Sequence, residues 1–390
     1  MGKILCVIDG MTDYAFEAGK YPNLASMHLH RYLDTTQTQE PESLGSILRL
    51  LGVKGSPEHL QGYAEALAHG IPVRTNDLVL RGSWFALDAQ GKCTVPTSAP
   101  ESLPEIEGCQ YYSLDQHKCL LILPGMSTFV SDIDTCPPYA CSGKTVEQLC
   151  PKGCNYVTQL YLALLKKDRC LILWGQSVSA SMSPFPHTAA AVCAAPVVKG
   201  IAQLLGMTLI PVPGATGDVD TNLIGKAKVA VDAAASHDFV LLHLAGADEA
   251  AHRRDPDEKQ DFLDKVDVVV LERLLRSGHE IYVAANFGTD PVTGQHITGT
   301  QPLFTSVCSK KIRRKSDITE DIVKPVNLSE EQRKKRAIAQ LQAKATELGR
   351  LPIKADFDDV ERIRIKAALG PWPRALEAAE LKERKPKQRR

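Results

Sequence analysis

The sequence has 390 residues, of which 44% are apolar and 24% charged, as in an ordinary folded protein. That length is enough for two or three domains with a large buried core. Its apolar runs are shorter than the roughly 18 residues that cross a bilayer, and the first run ends at Asp9, too early for a secretory signal. The composition therefore predicts a cytoplasmic protein that has no membrane partner.

The charge is unevenly distributed along the chain. The formal net charge is zero, but the residues from Lys310 to the end hold 23 Lys and Arg against 13 Asp and Glu, which leaves the body acidic. An acidic body with a basic tail suggests separate roles for the two parts.

Eleven cysteines are present, and most stand singly in apolar runs, which indicates reduced, buried thiols. Four cysteines form a cluster in the sequence, but their spacing is wider than the two-residue spacing usual in zinc knuckles: Cys136, Cys141, Cys150 and Cys154. Free thiols and a structural zinc both remain open for it.

The first predicted element is a strand at residues 3–8, a continuous apolar run typical of a strand buried on both faces of a parallel sheet. Asp9 would lie at its carboxyl end, where ligands bind in open α/β sheets. The carboxylate suits either a metal ligand or a helix N-cap.

Similar apolar runs alternate with helical patterns further along the chain. The predicted strands cover 170–174, 208–212, 239–244 and 280–284, and the predicted helices cover 189–205, 224–235 and 261–277. This alternation predicts an α/β fold with a mainly parallel sheet and helices on both faces.

Two stretches break the alternation. Residues 58–166 are rich in Pro, Gly and Cys, with a β-like piece at 77–87, and are predicted to form an inserted α+β cap domain. The core would then comprise 1–57 and 167–305, and residues 306–390 a basic, helical C-terminal region.

Asp248 and His252 are four residues apart in a helix-compatible segment that directly follows the predicted strand 239–244. On a helix this spacing puts both side chains on one face, within reach of one divalent ion. A carboxylate with an imidazole suits zinc or manganese. A solvated surface pair is the alternative, and His296, in a Gly-rich and Pro-containing loop after the next strand, favours the metal site.

The segment that contains this pair resembles the cofactor-independent phosphoglycerate mutases of the archaeal type and their bacterial relatives, within the alkaline phosphatase superfamily. The resemblance begins with ILCVIDGMTD and PESLGSILRLLGV, and continues through GIPVRTNDLVLRGSWFALD to TLIPVPGATGDVDTNLIGKAK and HLAGADEAAH. It runs in order from residue 3 to about 304.

The resemblance implies a role for each matching residue. Ser43 stands at the phosphoryl-accepting serine and would also be a ligand of the second metal, with Ser46 a less favoured candidate for the nucleophile. Asp9 would bridge toward the metal nearer that serine. Asp248, His252 and His296 match the ligands of the other metal. Arg81 resembles an arginine that holds the substrate's phosphate or carboxylate, groups that suit its guanidinium fork.

The chain departs from the family pattern at the second metal site. The family carries Asp-His after its last core strand, where this chain has Asn286 and Phe287. Asn286 could offer an amide oxygen, but Phe287 cannot bind a metal. Leu44 also replaces the acidic residue that usually follows the serine. One divalent ion, manganese or zinc, is therefore expected, and a second is doubtful.

Residues 328–346 are predicted to form a helix with Ser329 as its N-cap. The following segment, LGRLPIKADFDDVERIRIKAALGPWPRALEAAEL, resembles the homing-endonuclease-associated repeat. Nucleic-acid contact, docking of a protein and a solubilising appendage all remain open for this region.

Two functions follow from these observations. The first is a phosphoglycerate mutase-like phosphotransferase that interconverts 2- and 3-phosphoglycerate through phosphoserine at Ser43, with weak or absent activity because of the altered second site. The second is a catalytically impaired homologue that acts as a binding or regulatory protein, on nucleic acid through its basic tail.

Overall fold

The computed structural model describes residues 2–34, 43–53, 59–185, 187–297, 299–307, eight residues between 334 and 348, 349–357 and 359–382. The predicted Ser329 cap lies outside them. Every helix in these ranges is too short or too polar to span a bilayer.

The core is a seven-stranded sheet in the order β2-β14-β11-β1-β10-β8-β9. The five strands from β11 to β9 are parallel. At the other end of the sheet, β14 pairs antiparallel with β11, and β2 pairs antiparallel with β14. Its strands are β1 (Lys3–Ile8), β2 (His28–Asp34), β8 (Ala189–Val192), β9 (Thr208–Leu209), β10 (Phe239–Leu244), β11 (Glu280–Ala284) and β14 (Thr300–Thr305).

Helices cover the core sheet, with a separate apolar cluster on each face, so the predicted α/β class is confirmed. Pro196 starts one of these helices and a π-helical turn, Val266–Leu271, interrupts another. The helices are α1 (Pro22–Ala25), α2 (Ser43–Leu50), α3 (Gln61–Ala68), α6 (Pro196–Leu204), α7 (Leu223–Ala234), α8 (Gly246–His252), α9 (Pro256–Lys265) and α10 (Glu272–Arg276).

A second, antiparallel sheet of five strands occupies the inserted part of the chain. It packs with two further helices around its own apolar cluster. Its elements are β3 (Leu78–Leu87), β4 (Cys93–Pro96), β5 (Gln110–Ser113), β6 (Lys118–Leu123), β7 (Arg169–Val178), α4 (Val146–Leu149) and α5 (Asn155–Leu164).

Two smaller units complete the described chain. A two-stranded ribbon pairs β12 (Gly288–Thr289) with β13 (His296–Ile297). Near the C-terminus, α11 (Asp359–Leu369) and α12 (Trp372–Ala378) are small helices, as the sequence predicted. They share an apolar cluster with helical residues between 334 and 348.

Three sequence predictions need correction. The predicted strand at 170–174 is present as part of β7, but β7 pairs with β3 in the inserted sheet and not with the core strands. The prediction was wrong because an apolar run shows that a strand is buried but not to which sheet it belongs. The helix predicted at 189–205 begins as strand β8, and α6 starts only at Pro196. The strand at 208–212 ends at Leu209, since Pro211 lacks the N–H that a strand needs.

The predicted domain boundaries stay predictions, although β7 extends the inserted sheet beyond residue 166. Helix α3 lies between the core, where it crosses α6, and the inserted sheet, where Ala66 packs on Val79. A Cβ on Gly200 of α6 would lie 1.9 Å from the carbonyl oxygen of Ala64 in α3, so the two backbones touch at a position where only glycine fits.

We expect Gly200→Ala to lower the free energy of unfolding by about 1–3 kcal/mol, because two packed backbones must separate to admit one methyl group. Urea denaturation measures the change. Gly45→Ala is the matched control, since Gly45 is also helical and its Cβ would have no neighbour within 4 Å. That control should be neutral or stabilising by up to about 1 kcal/mol. Equal stability of the two variants would contradict the close crossing.

Candidate metal centre

The carboxyl edge of the core sheet borders a cavity of about 480 Å³. Asp9 follows β1, and α8 begins directly after β10, so both enter the same side of the sheet. Six of the seven residues predicted for the site line this cavity: Asp9, Ser43, Arg81, Asp248, His252 and His296.

Three of these residues form a compact group of metal-binding type. The Nε2 atom of His252 lies 3.4 Å from Asp248 Oδ2, and the Nε2 atom of His296 lies 3.6 Å from Asp248 Oδ1. The two imidazole Nε2 atoms are 3.1 Å apart. All three ligand atoms lie within 4.8 Å of one another, the only such group among the residues that the structure describes.

Neighbouring groups orient these side chains. The Nδ1 atom of His252 lies 2.9 Å from the carbonyl oxygen of Gly294, and if Nδ1 carries the proton, Nε2 keeps its lone pair for an ion. Thr289 donates a hydrogen bond of 2.5 Å to Asp248 Oδ1. Lys259, itself buried, donates to the carbonyl oxygen of Thr289 at 2.7 Å and holds this loop in place.

The group is strongly coupled electrostatically. Burial favours the neutral acid of Asp248, but hydrogen bonds and charge from His252 and His296 outweigh it and hold its pKa below the ordinary range. Burial likewise opposes the imidazolium of His252, but the hydrogen bond and charge of Asp248 raise its pKa to about 9. A proton therefore occupies His252 at neutral pH whenever no ion does.

Asp9 faces a partner that the sequence did not predict. His243, in the adjacent strand β10, lies with Nε2 2.8 Å from Asp9 Oδ2, and both side chains are buried. Burial raises the pKa of Asp9, and His243 works against that rise. In the sequence His243 stands within a predicted apolar strand, and only the pairing of β1 with β10 brings it near Asp9.

Asn286 is buried and turns its amide oxygen towards the backbone. That oxygen accepts hydrogen bonds from the N–H groups of Phe287, at 2.7 Å, and Gly10, at 3.4 Å. Its Nδ2 atom and Asp9 Oδ1 have no hydrogen-bond partner among the described residues. Because the oxygen is already engaged, the geometry disfavours the predicted role of Asn286 as a metal ligand.

Phe287 fills the position where the resemblance places a histidine. Its side chain is fully buried, and its ring packs on His296 with the centroids 4.0 Å apart. The residues thus fit one ion, at Asp248, His252 and His296. They do not fit a second, because in the part of the chain that the structure describes Asp9 Oδ1 is left without a second carboxylate or imidazole beside it: the Asn286 oxygen accepts hydrogen bonds from the backbone, and Phe287 has no ligand atom.

Ser43 and Arg81 border the cavity from two other elements. Ser43 is the first residue of α2, and Arg81 lies on β3 of the inserted sheet. The Arg81 guanidinium forms a salt bridge with the buried Glu65 and lies over the Trp174 ring, 3.9 Å from its centroid. Glu65 and Trp174 were not predicted, and they fix the direction of Arg81.

The cysteine cluster of the sequence does not form a second metal-binding group. Cys136, Cys141, Cys150 and Cys154 all lie in the described part of the chain, where Asp248, His252 and His296 are the only group of this kind.

Comparison with known proteins agrees with this arrangement. Residues 176–351 match the Metalloenzyme superfamily, and residues 333–382 match the homing endonuclease associated repeat. The chain is 26% identical to a 2,3-bisphosphoglycerate-independent phosphoglycerate mutase of Sulfurisphaera tokodaii, over 70% of this chain and 75% of that protein. It is 27% identical to such a mutase of Methanothermobacter thermautotrophicus, over 73% and 83%.

A solved structure shares the fold. The PH0037 protein from Pyrococcus horikoshii superimposes with a TM-score of 0.59 at 18% identity, covering 78% of this chain and 87% of that one. The chain thus carries a Metalloenzyme superfamily domain and is a distant homologue of archaeal cofactor-independent phosphoglycerate mutases. The resemblance seen in the sequence is confirmed.

We expect the affinity for Mn²⁺ to rise about tenfold per pH unit up to about pH 9, because the ion must displace the proton that Asp248 holds on His252. Calorimetric titration of chelator-stripped protein measures it. His252→Ala should weaken binding by more than the roughly 100-fold that loss of an outer-shell partner costs.

His69→Ala is the matched control for this titration, since His69 borders the same cavity outside the three-residue group. Its affinity should stay at the wild-type value. An affinity that does not change with pH, or an equal decrease in both variants, would place the ion elsewhere.

Proposed function

We propose that this protein is a metal-dependent phosphotransferase of the phosphoglycerate mutase type, in which Ser43 carries the phosphoryl group between the hydroxyls of 2- and 3-phosphoglycerate. The supporting observation is that Ser43, Arg81 and the Asp248-His252-His296 group border one cavity. The names of the relatives support the same substrate class.

The divalent ion, manganese or zinc, is held by Asp248, His252 and His296. Bound there, it would offset negative charge on the phosphoryl oxygens during transfer. The second ion of a two-metal mechanism has no suitable ligand set among the described residues.

Ser43 accepts the phosphoryl group on its Oγ atom. The bond from phosphorus to the substrate oxygen breaks as the bond to Ser43 forms, and the serine proton passes to the departing substrate oxygen, which becomes a hydroxyl. The glycerate then turns, and its other hydroxyl takes the group back. Water must be excluded between the two steps, because it would turn transfer into hydrolysis.

Arg81 binds the carboxylate or phosphate of the substrate. Its salt bridge to Glu65 and its contact with Trp174 hold the guanidinium in one orientation before substrate arrives. Such preorganisation lowers the entropy cost of binding.

Turnover should be slow, because no second ion lowers the pKa of the Ser43 hydroxyl. A serine hydroxyl is a weak nucleophile at neutral pH unless a base or a metal activates it. Asp9, the residue that the resemblance assigns to the metal nearer the serine, is paired with His243.

We expect slow conversion of 3-phosphoglycerate with Mn²⁺ in a coupled assay, and a decrease of at least about a thousandfold in Ser43→Ala, because the covalent carrier is removed. Ser46→Ala is the matched control, since Ser46 lies on the same helix but is buried. Its activity should stay near that of the wild type.

Two results would contradict the proposal. Equal activity of Ser43→Ala and the wild type would remove the carrier role of Ser43. Turnover at the rate of an efficient mutase would show that the altered second site does not limit the reaction.

We also propose that the C-terminal region contacts nucleic acid. Its match to the homing endonuclease associated repeat favours this role over simple docking. The described part of the region exposes several cations around its small apolar cluster: Lys354, Lys366, Arg374 and Lys382. Such cations release counterions when they meet phosphates, which makes binding sensitive to salt.

We expect the full chain to bind duplex DNA with an affinity that falls as salt rises, measured by fluorescence anisotropy. Lys366→Gln with Arg374→Gln should lower the slope of log affinity against log salt by about 0.9 for each phosphate that the variant no longer neutralises. The paired control is Lys152→Gln with Lys167→Gln, two exposed lysines of the inserted part. Identical slopes for both double variants would argue against this surface.

A further inference from the structure

The interior of the inserted domain contains thiols that phosphotransfer does not use. Cys93 begins β4, Cys141 follows the 3-10 turn Pro138–Ala140, and Cys170 lies on β7. All three are buried in the apolar cluster of the inserted sheet.

Two of these sulfurs are in direct contact. The Sγ atoms of Cys93 and Cys141 lie 3.4 Å apart, although 48 positions separate the residues in sequence. A disulfide would bring them to about 2.05 Å, so the sulfurs need to move by little more than an ångström.

The backbone around the pair is already held as a crosslink would require. Cys93 N–H donates to the carbonyl oxygen of Lys144, and Gly143 N–H donates to that of Cys93, each at 2.8 Å. A bridge between Lys92 and Thr145 continues this pairing. Closing the disulfide therefore moves two side chains and leaves the strand contacts unchanged.

From this geometry we propose that Cys93 and Cys141 form a reversible disulfide when hydrogen peroxide, a small oxidant, reaches the inserted domain. Peroxide is hardly larger than water, so brief local opening admits it to a buried pair, whereas bulky thiol reagents stay outside.

The chemistry balances in two steps. The Cys93 sulfur attacks one peroxide oxygen, the O–O bond breaks, and the released hydroxide takes a proton, giving a sulfenic acid and water. The Cys141 sulfur then attacks the Cys93 sulfur, the S–O bond breaks, and a second water leaves with the Cys141 proton. Two thiols are oxidised and one peroxide is reduced to two waters.

The surroundings identify Cys93 as the first nucleophile. Hydrogen-bonded contacts with Cys141 and Cys170 hold the pKa of Cys93 below its ordinary value. The same contact with Cys93, together with burial, raises the pKa of Cys141. Since the thiolate is the reactive form, oxidation begins at Cys93 and Cys141 resolves it.

The crosslink would stabilise the part of the inserted domain that borders the cavity. The loop that it closes contains Asp115 and Lys118, which line the same cavity as the metal group. Closing a long loop constrains the unfolded chain, so the oxidised protein should melt at a higher temperature.

The experiment treats the folded, full-length protein with stoichiometric peroxide. After alkylation under denaturing conditions, peptide mapping should find Cys93 joined to Cys141 and an intact mass lower by two hydrogens. The melting temperature should rise and return to its starting value with dithiothreitol. Cys93→Ser should abolish both effects. Cys119→Ser, equally buried in the same sheet, should keep them.

Three outcomes would overturn the proposal. Recovery of Cys93 and Cys141 as alkylated thiols after peroxide treatment would show that the pair does not oxidise. A crosslink from Cys93 to Cys170 would show that Cys170, and not Cys141, is the disulfide partner of Cys93. Zinc bound to wild type and absent from Cys93→Ser would make the thiols a metal site. The mapping uses wild-type protein, so it stands even if a variant does not fold.

Discussion

The candidate site depends on the parallel pairing of β1 with both of its neighbours. Ile8 lies opposite Leu244 of β10, and β11 runs alongside in the same direction, so three chain segments leave the sheet at one edge. Gly10 completes the arrangement. It has a positive φ of 65°, and a Cβ there would lie 2.7 Å from the Cα of Asp248, so the segment after β1 packs directly on α8. The ligands converge because backbone hydrogen bonds fix where each strand ends.

Buried charge is compensated differently in the two halves of the site, which are the Asp248-His252-His296 group and the pair of Asp9 with His243. Asp248 meets two imidazoles, an arrangement in which protons and a divalent ion compete for the same lone pairs. Asp9 is buried and meets one imidazole, that of His243, whose Nε2 atom lies 2.8 Å from Asp9 Oδ2. An unpaired buried carboxylate would be costly, so this pair lets the fold tolerate the missing cation. The first half has the geometry of a metal-binding group, whereas in the second half the Asp9–His243 pair and the Asn286 amide oxygen are engaged in contacts within the protein.

The sequence predicted what local pattern determines. Apolar runs located the core strands, and the four-residue spacing of Asp248 and His252 predicted their shared helix face. Contacts between segments that are far apart in the sequence could not be predicted from local patterns. His243 looks like one member of an apolar strand, the alanines of β8 favour a helix by propensity, and the apolar run of β7 fits either sheet. The direction of the Asn286 amide depends on the backbone of Gly10, 276 positions away. These features follow from tertiary pairing, which local propensity does not encode.

The packing of Phe287 on His296 bears on how such a chain can change over time. An aspartate at position 286 alone would place a second carboxylate beside the buried Asp9 without a cation between them. A histidine at 287 alone would bury an imidazole with no ion to bind. Each single substitution would therefore cost stability, and only the two together could supply an Asp-His pair of ligands.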